Sequence, residues 1–155
     1  MQDEHSQVVV GFDFSHSAHA ALSRAIKLAT RAPWHVLHIV SVIDPHWAFP
    51  AVPAKDVDEH YAARVREAIV SLVRTEAQQP ITFTVHARIG KPVKEILAIA
   101  RDVGADLIIV GSRGVTGLER AIVGSTSERI AREAHCTVEI ARENTYGNWH
   151  VAHAS

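Results

Sequence analysis

Cysteine and long hydrophobic runs are the two features that the sequence most clearly lacks. Its one cysteine, Cys136, excludes an intramolecular disulfide and fits a reducing compartment. No apolar stretch approaches the roughly 20 residues that a membrane-spanning helix needs. Residues 1–7 are polar and acidic, unlike a secretory signal peptide. We therefore expect a cytoplasmic protein with no membrane partner.

An excess of charge of one sign is missing as well. The 16 Lys and Arg residues nearly balance the 17 Asp and Glu residues, and the net charge is −1. Proteins that bind nucleic acid or anionic membranes mainly through electrostatics carry a strong positive excess. That class of protein is therefore disfavoured, and we expect no nucleic-acid partner.

Several motifs of catalysis and of other nucleotide sites are also absent. Neither GxGxxG nor GxxxxGK[ST] occurs, so dinucleotide and P-loop sites are disfavoured. No GxSxG nucleophile elbow is present. No nucleophile can be paired with a general base, so the sequence assigns no catalytic residue. These absences favour binding without fast catalysis.

Histidine, by contrast, is abundant, with 11 residues in the chain. His16 and His19 lie three residues apart at a predicted helix start, a spacing that can share a metal ion. No Cys, Asp or Glu at a matching spacing joins them. We therefore predict no metal site and expect solvated or hydrogen-bonded histidines.

Short apolar runs alternate along the chain with amphipathic stretches of helical period. The predicted strands span 7–13, 34–43, 81–89, 106–111 and 136–141, and the predicted helices span 15–31, 55–79, 93–103 and 125–134. Such an alternation predicts an α/β fold, with a doubly wound, five-stranded parallel sheet covered by helices on both faces. The length of 155 residues fits one domain.

The most informative stretch follows the fourth apolar run. Glycines at 111, 114 and 124 let backbone N–H groups approach a ligand closely. Gly124 and the Ser-Thr-Ser segment that follows it, which we call the glycine-serine cluster, stand where the next helix starts. Free N–H groups in a first helical turn favour an anion such as phosphate. The same residues also permit an interpretation without a ligand, because Ser125 and Glu128 have the spacing of a capping box. Both interpretations stay open at this point.

The spacing Gly111-x2-Gly114-x9-Gly124-Ser125 resembles the nucleotide-binding signature of the universal stress protein family. The stretch from Val9 to Ser15 and the segment Leu37-His-Ile39 are also similar to that family. The resemblance extends to about Arg142, so it implies a family domain over 1–142 and a C-terminal tail over 143–155. It further implies a Rossmann-like fold, similar to the adenine nucleotide alpha hydrolases, with strand order 3-2-1-4-5.

The resemblance also implies a cofactor, ATP, with Mg²⁺ held by its phosphates, and a set of ligand-contacting residues. Asp13 would accept hydrogen bonds from the base or ribose, although an Asx turn before the helix is the alternative. The backbone of Ile39 would read the edge of the adenine, and Arg113 can add a positive charge. The residues in this set are Gly11, Asp13, Ile39, Val110, Gly111, Arg113, Gly114, Gly124, Ser125 and Thr126.

The function that the resemblance implies is a nucleotide-dependent module of a stress response, a homodimer with a downstream protein partner of unknown identity. Two alternatives remain: an interaction protein of the same fold that uses no nucleotide, and a slow ATPase or self-phosphorylating relative. One residue departs from the family pattern. Glu139 places a charge in the last strand, where it discourages pairing with another strand, so the geometry of a dimer stays open.

Overall fold

The computed structural model describes residues 5–45, 59–112 and 123–143. The predicted helix start at Lys55, the predicted ligand contacts Arg113 and Gly114, and the tail from 144 onward lie outside the described residues. The described elements are β1 (Ser6–Gly11), α1 (His16–Arg31), β2 (His35–Ile43), α2 (Glu59–Glu76), β3 (Thr82–Ile89), α3 (Pro92–Val103), β4 (Leu107–Gly111), α4 (Ser125–Glu133) and β5 (Thr137–Ala141).

The five strands form one parallel sheet in the order β3-β2-β1-β4-β5, which confirms the predicted fold and strand order. The neighbours β1 and β4 mark the point where the chain reverses its direction of winding. In open α/β sheets, ligands bind beyond the carboxyl ends of the strands at such a switch point. Strand β1 ends at Gly11, two residues before Asp13, so Asp13 lies in the connection to α1.

Both faces of the sheet are covered, and each has its own core. Side chains of successive residues in a strand point to opposite faces. Val8 and Val10 pack with α1 and α2, whereas Val9 packs with α3 and α4, and all three are fully buried. Burial on both faces is why the central strands are continuous apolar runs rather than alternating ones. The site at the strand ends therefore lies between two helical layers.

The edges of the sheet are β3 and β5. The carboxylate of Glu139 in β5 pairs with the guanidinium of Arg24 in α1, with an Nε to Oε1 distance of 2.6 Å. The charge that departs from the family pattern thus has a partner within the same chain. Among the described helices, none is long and apolar enough to cross a membrane.

Candidate functional site

The connection from β1 to α1 satisfies its own polar groups. The Ser15 hydroxyl accepts a hydrogen bond from the Ala18 N–H at 3.2 Å and so caps the first turn of α1. A carboxylate oxygen of Asp13 accepts from the Ser15 N–H at 3.0 Å, so the Asx turn is present. A carboxylate has two oxygens and about four lone-pair sites. Asp13 can therefore hold this turn and still accept hydrogen bonds from a ligand.

The connection from β4 to α4 is longer, and its two ends meet. The Gly124 N–H donates to the Ser112 carbonyl at 2.7 Å. The buried hydroxyl of Ser127 donates to the Gly111 carbonyl at 3.0 Å. The Ser112 N–H in turn donates to the Ala141 carbonyl at 2.9 Å, which ties the same point to β5. These bonds hold the start of α4 directly over the end of β4.

Helix α4 begins without a side-chain cap. Its N-cap residue is Gly124, and Ser125 is already the first helical residue. The capping-box interpretation is therefore wrong, because Ser125 is inside the helix and Gly124 has no side chain with which to cap it. The Glu128 carboxylate accepts instead from the Arg132 guanidinium at 2.7 Å, one helical turn further on. Within the described residues, therefore, no side-chain cap accepts hydrogen bonds from the first-turn N–H groups of α4, and such groups favour an anion.

Gly111 has a structural role that the spacing alone did not reveal. A Cβ atom at this position would lie 2.5 Å from the Ser17 hydroxyl and 2.8 Å from the Ala18 nitrogen. The absence of a side chain therefore lets β4 pack against the first turn of α1. Gly11 is less confined, since its nearest neighbours would be the side-chain ends of Val110 and Ile96, at 3.0 and 3.1 Å. The requirement for glycine at 111 follows from packing, whether or not a ligand is bound.

Two connected cavities lie at the carboxyl ends of the strands. The narrow one, of about 100 Å³, lies over β1 and β4 between the helical layers. Its lining residues are Gly11, Phe12, Asp13, Ser15, Ala18, Val40, Val42, Pro92, Ile96, Val110, Gly111, Thr126 and Ser127. A wider cleft of about 960 Å³ adjoins it. Asp13, Val42, Pro92 and Thr126 line both cavities and mark the place where they join.

The wider cleft has walls of different chemistry. Phe14, Tyr61 and Val65 line it from the side of α1 and α2. Basic residues line it from the side of α3 and α4: Lys91, Lys94, Arg101 and Arg129. Carboxylates offset part of this charge, because Lys91 lies 3.4 Å from Asp44 and Arg129 lies 3.3 Å from Glu133. The cleft thus combines an apolar, partly aromatic wall with a basic one, which suits a ligand that has a planar ring and an anionic group.

A comparison with known families decides where this chain belongs. The model of the universal stress protein family matches residues 5–142, which include every described strand and helix. The chain belongs to the universal stress protein family. This confirms the family that the glycine spacing indicates.

Individual universal stress proteins are similar along most of their length. A universal stress protein of Methanocaldococcus jannaschii, MJ0531, is 28% identical over 142 residues, which span 90% of this chain and 83% of the relative. Universal stress protein YxiE of Bacillus subtilis is 30% identical over 88% of this chain and 99% of the relative. The solved structure of UspA from Lactobacillus plantarum is similar with a TM-score of 0.71 and 26% identity, over 89% of this chain and 98% of that one.

Two further universal stress protein structures share the fold and contain adenine nucleotides. One, in complex with cAMP, has a TM-score of 0.65 and 22% identity, over 89% of this chain and 97% of that one. The other, from Archaeoglobus fulgidus in complex with dAMP, has a TM-score of 0.62 and 20% identity, over 88% of this chain and 97% of that one. At these identities, the likeness establishes a common fold.

The residues that the universal stress protein signature implies are distributed unevenly in the structure. The narrow cavity is lined by Gly11, Asp13, Val110, Gly111 and Thr126. Two more of the predicted residues, Gly124 and Ser125, form the start of α4 beside that cavity. Five of the predicted residues are thus brought together at one point of the sheet.

Ile39 is placed differently. Its side chain is fully buried in the core under α1 and α2, it pairs with Val10 and Val85 inside the sheet, and it is not among the residues that line either cavity. Val42, three residues later in β2, lines both cavities. The sequence contained a signal for this position, because Val42 lies one residue before the end of β2, and the strand ends meet at the switch point.

Proposed function

We propose that this universal stress protein binds ATP at the carboxyl ends of β1 and β4 and acts as a nucleotide-dependent module of a stress response, without fast catalysis. The observation that carries the proposal is the N-terminus of α4, whose N-cap residue, Gly124, has no side chain. The bond from the Gly124 N–H to the Ser112 carbonyl, 2.7 Å long, holds that terminus beside the cavity that Asp13 and Thr126 line. The structures of relatives with cAMP and dAMP lend support, because both ligands are adenine nucleotides.

In this proposal, the base and ribose occupy the place where the narrow cavity and the wider cleft meet. The apolar lining there suits a planar base, and Asp13 accepts hydrogen bonds from the ribose or the base. The backbone of Ile39 remains the predicted contact to the adenine edge, and Val42, which lines the cavity near the end of β2, is a second candidate for it. Val110 and Gly111, at the end of β4, border the ribose.

The phosphates extend from this place over the first turn of α4. Backbone N–H groups of Ser125 and Thr126 bind them, together with the positive end of the helix dipole. Arg113 and Gly114 complete the set that the family signature implies. Lys94 and Arg101 line the adjoining cleft and favour a ligand of higher negative charge, ATP over AMP. Mg²⁺ would be held by the phosphates and would neutralise part of their charge.

The biological assembly that we propose is a cytoplasmic homodimer that passes a signal to a downstream protein. Strand β5 is an edge of the sheet, and the partner that would extend the sheet joins there. Its one acidic residue, Glu139, pairs with Arg24 at 2.6 Å. Because this pair offsets the charge within the chain, Glu139 presents less of a barrier to pairing across a dimer than the sequence suggests.

Substitutions at Gly124 test the nucleotide site, because its backbone angles of −59° and 154° suit any residue. Gly124→Asp introduces a carboxylate that caps α4 and repels phosphate. We expect it to weaken ATP binding by at least about tenfold, equivalent to about 1.4 kcal/mol, and to leave the melting temperature equal or slightly higher. Isothermal titration calorimetry and thermal unfolding measure the two quantities.

Gly124→Asn is the matched control, since it adds a similar cap without charge and should weaken ATP binding less than Gly124→Asp. Gly124→Ala adds a Cβ atom and no cap, and it should retain most of the affinity. A folded wild-type protein that binds no ATP, ADP or AMP would overturn the proposal and favour the interaction protein that uses no nucleotide. Equal affinity of all three variants would overturn the placement of the phosphates at α4.

A further inference from the structure

Phe14 has an unusual backbone conformation. Its φ angle is 63°, and within the described chain it is the one residue other than glycine with positive φ. This left-handed conformation costs a side-chain-bearing residue about 1–2 kcal/mol relative to the right-handed one, and glycine adopts it freely. A large aromatic residue at such a position needs a reason, because glycine would make the same turn at lower cost.

Burial of the ring does not supply that reason. Phe14 is 46% exposed. Two other large hydrophobic side chains of the described residues, Trp34 and Ile89, are also exposed, but Phe14 is the one that lines the candidate site. Its ring stands at the wall of the wider cleft, one residue after Asp13. An exposed ring in a strained turn is thus placed directly beside the carboxylate that both cavities share.

The ring is also held in place from behind. Its centroid lies 4.8 Å from that of Phe12, with 63° between the ring planes, an edge-to-face arrangement. Phe12 is almost fully buried and meets His19 edge-to-face in turn, at 5.1 Å. These two edge-to-face contacts support the ring of Phe14 on the side away from the solvent. A supported, half-exposed aromatic surface is what stacking on a planar base requires.

We propose that Phe14 is a ligand-contacting residue whose ring packs on the base of the bound nucleotide where the narrow cavity adjoins the wider cleft. This inference rests on the proposed nucleotide site and assigns it a specificity for ligands with a planar ring. The strained turn is retained because it presents the ring to the cleft. Basic residues of the opposite wall, Lys94 and Arg101, then face the charged part of the same ligand.

Three substitutions at residue 14 separate the ring from the turn. Phe14→Ala removes the ring and keeps the strain, and Phe14→Gly removes both. Stacking of a base on an aromatic residue has a typical value of about 1–3 kcal/mol, so both variants should bind ATP about fivefold more weakly or worse. Phe14→Gly should melt about 2–4 °C above Phe14→Ala, since glycine relieves the strain. Phe14→Tyr keeps a ring and should stay close to wild-type affinity.

A ligand without a base provides the decisive readout. Inorganic triphosphate is used as a competitor of ATP. Its dissociation constant, obtained from this competition, should be the same for the wild type and for Phe14→Ala, because triphosphate has no ring to stack. Trp34→Ala, which removes an exposed aromatic side chain outside the cleft, is the control and should bind ATP like the wild type.

The outcomes distinguish this inference from the proposed function. Wild-type binding of ATP with unchanged affinity in Phe14→Ala would overturn the role of Phe14 and leave the nucleotide site standing. A parallel loss of ATP and triphosphate affinity in Phe14→Ala would assign the residue to the shape of the turn and overturn the stacking contact. Absence of ATP binding by the folded wild type would overturn the proposed function and the inference together.

Discussion

Two connections lead from neighbouring strands into helices, β1 to α1 and β4 to α4. They differ in how the N–H groups at the start of each helix are capped. In the first, the Ser15 hydroxyl and the Asp13 carboxylate accept hydrogen bonds from N–H groups at the start of α1. In the second, Gly124 stands at the N-cap and provides no side chain. Both helix starts face the same end of the sheet, yet side chains cap the first, whereas no side chain of the described residues caps the second.

The difference teaches that glycine, serine and spacing do not by themselves indicate a phosphate site. A serine one position earlier, at the N-cap, would have closed α4 as Ser15 closes α1. The two glycines of the β4–α4 connection differ in the same way. Gly111 is required because a Cβ atom would collide with Ser17, whereas nothing in the backbone angles of Gly124 requires glycine. We infer that packing explains Gly111, whereas the backbone angles of Gly124 leave ligand access, as proposed above, to account for it.

The largest expected effect comes from Gly111→Ala. The new Cβ atom would lie 2.6 Å from the carbonyl carbon of Ser17 and 2.8 Å from the Ala18 nitrogen, and these backbone atoms cannot move without shifting α1. We expect the free energy of unfolding to fall by roughly 3 kcal/mol, the upper part of the usual range for overpacking. Urea denaturation without nucleotide measures this loss, so it does not depend on ligand binding.

Gly11→Ala is the matched control on the neighbouring strand. Its Cβ atom would meet the side-chain ends of Val110 and Ile96, which can rotate away, so the expected loss is about 1 kcal/mol. If Gly111→Ala proves no more destabilising than Gly11→Ala, then packing does not explain Gly111, and the contrast with Gly124 loses its basis.

A smaller loss of stability is expected when the side-chain cap in the β1–α1 connection is removed. Ser15→Ala removes the hydroxyl that accepts from the Ala18 N–H, and loss of such a cap typically lowers the free energy of unfolding by about 1 kcal/mol. Ser15→Asn restores an acceptor and should recover most of the loss. Thermal and urea unfolding of the two variants provide the measurement. Equal stability of the alanine and asparagine variants would contradict the assignment of Ser15 as the cap.

Much of this architecture could be predicted from the sequence, because it depends on local patterns. Continuous apolar runs such as Val8–Val10 indicate strands buried on both faces, and the glycine spacing leads to the family. Sequence reasoning failed where the answer depends on the exact end of an element. Ser125 was a plausible N-cap until the helix proved to begin there. The adenine contact of the Ile39 backbone stays a prediction, and Val42, later in the same strand, is a cavity-lining residue that sequence reasoning overlooked.

Other features could not have been found from the sequence at all. The collision that makes Gly111 obligatory joins two residues about a hundred positions apart, and no local pattern encodes it. The positive φ angle of Phe14 likewise follows from the tertiary path between β1 and α1. Long-range packing and strained backbone angles are properties of the assembled fold, which is why they appear only once β1, β4 and α1 are placed together.

Two histidines and a glutamine form a polar cluster on the face of the sheet that α3 and α4 cover. It lies away from both connections and allows a comparison with them. His38 in β2 lies between Gln7 in β1 and His86 in β3, with ring nitrogens 2.8 Å from the Gln7 amide oxygen and 3.1 Å from a His86 ring nitrogen. Burial lowers the pKa of His38. Burial, together with the charges of His38, Arg88 and Arg66, lowers the pKa of His86. Burial in the folded cluster therefore favours the neutral form of both rings.

The His38–His86 cluster predicts a pH dependence of the free energy of unfolding that does not involve the nucleotide site. Below the ordinary histidine pKa of 6.5, the unfolded chain binds protons that the folded cluster resists, so the free energy of unfolding falls as the pH falls from 6.5 towards the lowered values. His86→Gln keeps a donor for His38 and should reduce this slope, measured by urea denaturation at about pH 7.5 and about pH 5.5. The exposed His135→Gln is the control variant. If His86→Gln and wild type lose equal stability in acid, the pH dependence does not arise from this histidine cluster.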